Sequence, residues 1–307
     1  MATIDILMAT FNGAKYISTQ MDSIISQSFT DWRLIIHDDG SNDNTIDIIH
    51  NYLSKDSRII LIDDGIKGLG PGQNFWHLHK YINAPFICYC DQDDYWFPDN
   101  LQKKYEIISK MDNSLPQVVC FNGYTWYSDD NNRIENLWSL KNPNYSFRSI
   151  LFNNGGVQGC SLIMNSMLIS KIRFPLEKVW LHDQIIAFYA MCFNCLHFSD
   201  YPLMLYRQHK LNVSGHLIRK PRDLFSITRI FSEIPVVDRR SYEAIISFHI
   251  LCKDIISEKD QKLFDIFKKF PEIPLYKRVC LTMRYRFSLN GSCIKLIIKQ
   301  ICRKFIS

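Results

Sequence analysis

Three of the four residues from Asp91 to Asp94 are carboxylates, and they directly follow the apolar run Phe86 to Cys90. Like charges at this density repel one another unless a cation or solvent compensates them. Hard divalent cations such as Mg²⁺ take oxygen ligands, commonly one or two carboxylates completed by water and substrate phosphate. The segment therefore indicates a divalent metal site. The alternative is a solvated acidic turn that caps the following helix.

A second acidic pair, Asp38 and Asp39, follows another strand-like run. Its carboxylates could accept hydrogen bonds from the base or ribose of a nucleotide. Acidic residues before Gly-Ser also commonly cap the next helix. Taken alone, the pair leaves both interpretations open.

His182 and Asp183 open a helical segment. A helix N-terminus favours the ionised form of a carboxyl group, which keeps Asp183 available as a proton acceptor. The alternative is that Asp183 caps its helix while His182 packs beneath it. Farther along, His209 could complete a metal shell or contact a leaving diphosphate, although a lone histidine is more often structural.

Other nucleotide and metal motifs fail on spacing. The loop Gly68 to Gly72 lacks the glycine spacing of a dinucleotide-binding loop, and no Gly-Lys-Ser or Gly-Lys-Thr phosphate loop occurs. The acidic segment Asp91 to Asp94 also lacks the glycine and distal glutamate of an EF-hand. Kinases and oxidoreductases are therefore disfavoured.

The elements that must position these groups alternate between strand-like and helix-like segments over the first hundred residues. This is the pattern of a mostly parallel sheet flanked by helices. Apolar runs predict strands at Ile4 to Thr10, Trp32 to His37, Ile59 to Ile62 and Phe86 to Cys90. Ligands bind beyond the carboxyl ends of strands in open parallel sheets. The loops at Thr10 to Asn12, Asp38 to Asp39 and Asp91 to Asp94 should therefore share one edge.

Later segments are less regular. The sequence predicts a helix from Pro98 to Lys110, a strand from Gln117 to Phe121, a helix from Asp183 to Phe193 and one or two strands from Leu196 to Tyr206. The Asn-, Asp- and Trp-rich stretch from Ser128 to Asn154 predicts a long loop. Beyond Pro221 the chain becomes helical and basic. We therefore expect an α/β domain over residues 1–220 and a helical basic region over residues 221–307.

The 307 residues are 47% apolar, enough for a sizeable core. The N-terminal residues lack the features of a secretory signal, and no apolar run reaches the roughly 18 to 20 residues that span a bilayer. The sequence thus predicts a cytoplasmic chain. From Lys277 to Ser307 there are eight basic residues and no acidic one. This tail predicts either a solvated basic face or an in-plane anchor on the inner face of the cell membrane. No nucleic-acid-binding motif accompanies it, so nucleic acid is not expected as a partner.

With these residues in hand, the chain resembles the family-2 glycosyltransferases of the GT-A fold, over about residues 3 to 215. The bacterial members that build O-antigen or capsular polysaccharide are the most similar. The resemblance is carried by segments in a fixed order: Ala9 to Gly13, Asp38 to Asp43, Asp91 to Trp96, Gly159 to Ser161, His182 to Asp183 and Tyr206 to His209. It implies a Rossmann-like nucleotide-binding sheet flanked by helices, with the basic helical region as a C-terminal extension.

The resemblance also implies roles. Residues that contact the nucleotide sugar would be Thr10, Asn12, Asp39 and Asp93. Asp94 would bind the divalent metal, Mg²⁺ or Mn²⁺, and His209 is the second candidate ligand. Asp183 aligns with the catalytic base of an inverting displacement, in which an acceptor hydroxyl attacks the anomeric carbon.

The Asp-Gln-Asp-Asp and Tyr-Arg-Gln-His segments look most like those of rhamnosyltransferases, which implies a dTDP-rhamnose donor. Galactosyl or glucosyl transfer from a UDP-sugar is the alternative donor choice. The basic tail suits a saccharide acceptor carried on undecaprenyl diphosphate. A metal-dependent nucleotidyltransferase or phosphohydrolase, and a sugar- or membrane-binding protein without turnover, are competing hypotheses.

Overall fold

A computed structural model describes residues 2–137, 146–152, 157–173, 179–209, 235–289 and 291–306. The chain divides into two compact units whose segments interleave. The first comprises residues 1–143, 157–172 and 195–215, and the second residues 144–156, 173–194 and 216–307. The units do not follow the linear division expected at residue 220, a residue that lies outside the described ranges.

The first unit is built on a mixed sheet of nine strands in its described part. The strands are β1 (Ile4–Thr10), β2 (Trp32–Asp38), β3 (Ile59–Ile62), β4 (Phe86–Asp91), β5 (Tyr95–Trp96), β6 (Val118–Tyr127), β7 (Arg133–Leu137), β8 (Leu162–Asn165) and β9 (Leu196–Arg207). They lie in the order β3-β2-β1-β4-β8-β6-β9-β5, with β7 paired to β6. The four strands predicted first along the chain are confirmed, and β1 to β4 run parallel to one another.

Helices cover the sheet because its central strands are apolar on both faces. In the first unit they are α1 (Ile17–Ile25), α2 (Thr45–Leu53), α3 (Pro71–Leu78), α4 (Asn100–Ile108) and α6 (Ser166–Lys171). On α1 the buried residues Ile17, Met21 and Ile24 recur at helical spacing and join the core formed with Ile6 and Met8 of β1. This packing fixes the strands whose ends carry the polar loops.

The predicted sharing of one edge is confirmed by the register of the sheet. Thr10 at the end of β1 pairs with Asp38 at the end of β2. On its other side, Ala9 of β1 pairs with Asp91 at the end of β4. Three polar loops therefore leave the sheet side by side.

The second unit is helical. Its described helices are α5 (Phe147–Ile150), α7 (His182–Cys192), α8 (Arg239–Leu251), α9 (Glu258–Lys269), α10 (Leu275–Tyr285) and α11 (Cys293–Cys302). Aromatic side chains form its core: Phe188 of α7 lies 5.1 Å from Phe248 of α8, and Phe147 lies 5.0 Å from Phe264 of α9, between ring centroids. The expected helical character of the C-terminal region is confirmed over residues 239–302. No helix among the described residues has the length and apolar content that a bilayer crossing requires.

The expected loop from Ser128 to Asn154 is partly wrong. β7 pairs antiparallel with β6 across a turn in which Asn131 and Asn132 adopt left-handed φ angles of 49° and 53°. Asparagine tolerates this conformation better than most residues, so the Asn-rich segment is a hairpin turn. Helix α5 also forms within the expected loop, whereas residues 138–145 and 153–156 lie outside the described ranges.

Candidate active site

Asp94 is the most buried carboxylate of the acidic segment after β4, with no solvent exposure. Its Oδ1 accepts a 3.0 Å hydrogen bond from the backbone N–H of Arg207. Its Oδ2 is buried without a hydrogen-bond partner among the residues that the structure describes. One ligand atom each from Asp91, Asp94 and Cys160 lies within 4.8 Å of the others. The Cys160 thiol lies beside the Asp94 carboxyl and acts to lower its pKa. The structure thus concentrates ligand atoms around a buried carboxylate whose Oδ2 accepts no hydrogen bond of ordinary geometry from the described residues.

Electrostatics at Asp94 favour a compensating cation. Burial raises the pKa of the Asp94 carboxyl well above its usual range, and the charges of Asp93 and Asp91 raise it further. A buried carboxylate with one unpaired oxygen is costly unless it is protonated or bound to a cation. The Asp91 and Asp94 oxygens therefore fit a hard divalent metal, whereas burial raises the pKa of the Cys160 thiol and makes it a poor ligand for Mg²⁺ or Mn²⁺.

His209 and Asp93 are in direct contact. Nε2 of His209 lies 2.7 Å from Oδ2 of Asp93, and the imidazole stacks on the Tyr16 ring with 4.4 Å between centroids. Both side chains are largely buried. The structure therefore brings His209 to the acidic segment through Asp93, the neighbour of the expected metal ligand Asp94.

Arg207 joins the end of β9 to the same segment. Its Nε donates a 2.6 Å hydrogen bond to the backbone oxygen of Asp93, and its guanidinium lies 3.7 Å from the centroid of the Trp126 ring. Burial lowers the pKa of Arg207, against the opposing charges of Asp93 and Asp94. The sequence predicts no role for Arg207. Its local signal is its place within the segment Tyr206 to His209, one of those that carry the family resemblance.

Asp38 connects the first two polar loops. Its Oδ2 accepts a 2.8 Å hydrogen bond from the Thr10 hydroxyl, and its Oδ1 accepts a 2.7 Å bond from the Ser41 N–H. Asn12, at a left-handed φ of 47°, donates its N–H to the Ser41 hydroxyl and accepts the N–H of Asn42. The loops that carry Thr10 and Asn12 are thus fixed on the loop after β2.

Asp39 holds the glycine-rich loop at this edge. Its two carboxylate oxygens accept the backbone N–H groups of Leu69, at 2.7 Å, and Gly70, at 2.8 Å. Its backbone oxygen accepts the N–H of Gly68. Gly68 and Gly70 have φ angles of 73° and 78°, which glycine adopts without strain. Neither helix capping nor a direct ligand contact, the two sequence-based interpretations, anticipated this role.

Gln92 links the acidic segment to the first loop. Its side-chain amide accepts the N–H of Phe11 at 3.1 Å and donates to the Phe11 oxygen at 3.0 Å. A Cβ on Gly13 would collide with Oε1 of Gln92, so a larger residue at position 13 would require the Gln92 side chain to move. No sequence pattern indicates this close approach.

Asp183 lies in the second unit, whereas the other expected site residues lie in the first. It is in the first turn of α7, which begins at His182, one residue earlier than predicted. Its Oδ1 accepts the N–H of Gln184 at 2.7 Å. The role of Asp183 as a proton acceptor stays a prediction.

The chain is similar in sequence to known proteins over the part that carries this edge of the sheet. The model of glycosyl transferase family 2 matches residues 5–173. The chain is 31% identical over 223 residues to the dTDP-rhamnosyl transferase RfbG of Shigella flexneri, which covers 68% of this chain and 73% of the relative. It is 27% identical over 173 residues to the UDP-Glc:alpha-D-GlcNAc-diphosphoundecaprenol beta-1,3-glucosyltransferase WfgD of Escherichia coli, covering 56% of this chain and 64% of the relative.

Solved structures are similar in fold. TarS 1–349 of S. aureus matches with a TM-score of 0.61 at 16% identity, covering 97% of this chain and 88% of that one. The mannosyltransferase PcManGT of Pyrobaculum calidifontis, solved with GDP-Man and Mn²⁺, matches with a TM-score of 0.53 at 13% identity. The match covers 98% of this chain and 86% of that one. The similarity to these neighbours confirms the GT-A fold.

Proposed function

Since this chain belongs to glycosyl transferase family 2, we propose that it moves a sugar from a nucleoside-diphosphate donor to a saccharide acceptor. The configuration at the anomeric carbon of the sugar is inverted in this transfer. The observation that carries the proposal is the state of Asp94, which lies in one of the three polar loops. Its buried Oδ2 has no hydrogen-bond partner among the described residues. A divalent metal held there would supply the missing positive charge, and diphosphate oxygens and water would complete its ligand set.

We assign the metal to Asp94 and His209, as expected from the sequence. Asp94 lies in the cluster with Asp91 and Cys160, and His209 contacts Asp93. Mg²⁺ or Mn²⁺ held there would supply positive charge to the departing diphosphate. Nε2 of His209 contacts Asp93, which would hold the nucleotide sugar beside the metal site. The Mn²⁺ in the PcManGT complex supports the choice of a divalent ion.

The nucleotide sugar would be bound by Thr10, Asn12, Asp39 and Asp93. Two of these side chains already hold loops, since Thr10 bonds to Asp38 and Asp39 accepts two backbone N–H groups. A pocket whose walls are preformed loses little freedom when it binds a ligand. These bonds support a rigid binding edge.

Asp183 is proposed as the base. It would take the proton of an acceptor hydroxyl while the oxygen bonds to the anomeric carbon and the bond from that carbon to the diphosphate breaks. The proton ends on Asp183, and the electron pair leaves with the nucleoside diphosphate. A single displacement of this kind needs no covalent sugar–enzyme intermediate.

For the donor we propose dTDP-rhamnose, supported by 31% identity to RfbG. UDP-glucose is the second candidate, supported by 27% identity over a shorter span to WfgD. The name of WfgD includes a diphosphoundecaprenol acceptor, which supports a lipid-linked saccharide as acceptor here. Such an acceptor would place the enzyme at the inner face of the cell membrane.

The test is a donor panel of dTDP-rhamnose, UDP-glucose and UDP-galactose with Mn²⁺. Acceptors are GlcNAc on undecaprenyl diphosphate and a set of water-soluble saccharides. Release of nucleoside diphosphate that depends on both the acceptor and one donor, with an inverted anomeric signal in the NMR spectrum of the product, is expected. Nucleotide cleavage that ignores the acceptor would instead favour a phosphohydrolase.

A further inference from the structure

Helix α11 exposes a row of apolar side chains. Ile294, Ile298 and Ile301 are 70%, 46% and 58% exposed. Their spacing of four and three residues places them on one face of the helix. Leu296 and Gln300, on the buried side, are at most 1% exposed. The helix is therefore amphipathic, and its second apolar face has no cover among the described residues.

Helix α10 repeats this arrangement. Tyr276 and Met283 are 65% and 54% exposed, and Cys280 between them is exposed as well. The two helices are joined on their buried sides, where Nε2 of Gln300 donates a 2.9 Å hydrogen bond to the Thr282 hydroxyl. A packed helix pair thus presents two apolar rows to solvent.

The charges on this pair have one sign. No acidic residue occurs after Glu272. Five of the basic side chains are exposed: Lys277, Arg284, Arg286, Lys295 and Lys304. Lys299 is excluded from the surface set because its Nζ donates to the backbone oxygen of Val236 at 2.8 Å. The exposed cations therefore lie on the two helices that carry the apolar rows, or within two residues of their ends.

We propose that the α10–α11 face, defined by Tyr276, Met283, Ile294, Ile298 and Ile301, docks in the plane of an anionic lipid bilayer. Apolar side chains enter the boundary of the acyl region while lysine and arginine contact anionic headgroups. Helices of 11 and 10 residues suit this in-plane position. The inference connects to the proposed function only through a lipid-linked acceptor.

The charges decide between occupants. A second copy of this face would bring cations against cations, which disfavours self-association. Nucleic acid would satisfy the cations but would leave the isoleucines in water. An anionic bilayer accommodates both the isoleucines and the cations. A soluble acidic protein is the alternative partner, and it predicts that the chain does not bind vesicles.

The experiment is cosedimentation of the full chain with vesicles of phosphatidylcholine alone, or of phosphatidylcholine mixed with phosphatidylglycerol. Binding to the mixed vesicles only, weakened by high salt, is expected because screening reduces headgroup attraction. The triple variant Ile294→Ser/Ile298→Ser/Ile301→Ser should bind the mixed vesicles on the order of tenfold more weakly or worse. The double variant Lys295→Gln/Lys304→Gln removes two of the five exposed cations and should lose a corresponding part of the salt dependence.

Ile250→Ser is the matched control, because Ile250 of α8 is 66% exposed outside the proposed face. It should bind as the wild type does. Wild type that ignores anionic vesicles, or a triple variant that binds them normally, would overturn the proposal. So would a dimer in solution that the triple variant abolishes. Transfer to a water-soluble acceptor should be equal in all these variants, so failure here is distinct from failure of the proposed reaction.

Discussion

The backbone N–H of Arg207 donates a 3.0 Å hydrogen bond to Oδ1 of Asp94, across 113 residues of sequence. The end of β9 is therefore fixed directly on the acidic segment that follows β4. This bond leaves Oδ2 of Asp94 as the oxygen available to a metal. It also places His209, two residues after Arg207, beside Asp93.

The base assignment predicts the effect of Asp183→Asn. The amide has nearly the same shape but cannot accept the proton, so kcat should fall by about 10²- to 10⁴-fold. Binding of the donor should change little, because no donor contact is assigned to Asp183. Calorimetry and initial rates with the same donor separate the two effects. Near-normal kcat would require another base.

The metal assignment predicts that His209→Ala weakens activation by Mn²⁺ by at least about tenfold, in line with the loss of groups around bound metals. His197→Ala is the control. His197 lies near the opposite end of β9, where its Nε2 contacts Gln117 at 3.0 Å. Initial rates across a Mn²⁺ titration give the activation constant for Mn²⁺ in each of the two variants. Equal loss in both variants would point to damage of the strand rather than of a metal site.

The contact between Gly13 and Gln92 predicts a coupled pair. A Cβ at position 13 would meet Oε1 of Gln92 at 2.1 Å, so Gly13→Ala must displace the amide that holds Phe11. We expect the KM for donor to rise several-fold, about 1 kcal/mol in binding. Gln92→Ala should raise it similarly, and the double variant should add little to Gln92→Ala alone. Additive effects would show that the two residues act separately.

The burial of Lys299 predicts that the stability of the fold depends on pH. Burial lowers the pKa of Lys299 from 10.5 to about 8. Between these values the unfolded chain binds the proton more tightly than the folded chain, so folding is penalised at low pH and gains stability as the pH rises from 8 to 10.5. The thermal midpoint of wild type relative to Lys299→Met should therefore rise over that window. A constant difference between the two proteins would contradict the assigned burial.

Local patterns were enough to predict much of the fold. The strands β1 to β4 are mostly apolar, as burial on both faces favours, and Asp5 of β1 is buried in an ion pair with Arg33 of β2. The start of α7 was predicted to within one residue. The shared edge followed from parallel topology, which places the carboxyl ends of such strands together.

Long-range contacts could not be predicted in this way. The parallel pairing of β6 with β9 joins segments about 80 residues apart, and no local pattern encodes it. Asp39 accepts N–H groups some 30 residues away, so its sequence neighbours indicate only a cap or a ligand. The interleaving of the two units is likewise a property of tertiary packing. Arg207 gained a role only when β9 was placed beside the acidic segment.

The most direct test of the central claim is calorimetric titration of dTDP, with Mn²⁺ or with EDTA, into wild type and Asp94→Asn. Wild type should bind the nucleotide tightly only with Mn²⁺. Asp94→Asn should fold normally and lose at least about tenfold in Mn²⁺-dependent affinity, because a neutral amide is a weaker ligand for a divalent cation than a carboxylate. Equal affinity with Mn²⁺ and EDTA, or unchanged Mn²⁺-dependent affinity in Asp94→Asn, would contradict the assignment of Asp94 to the metal.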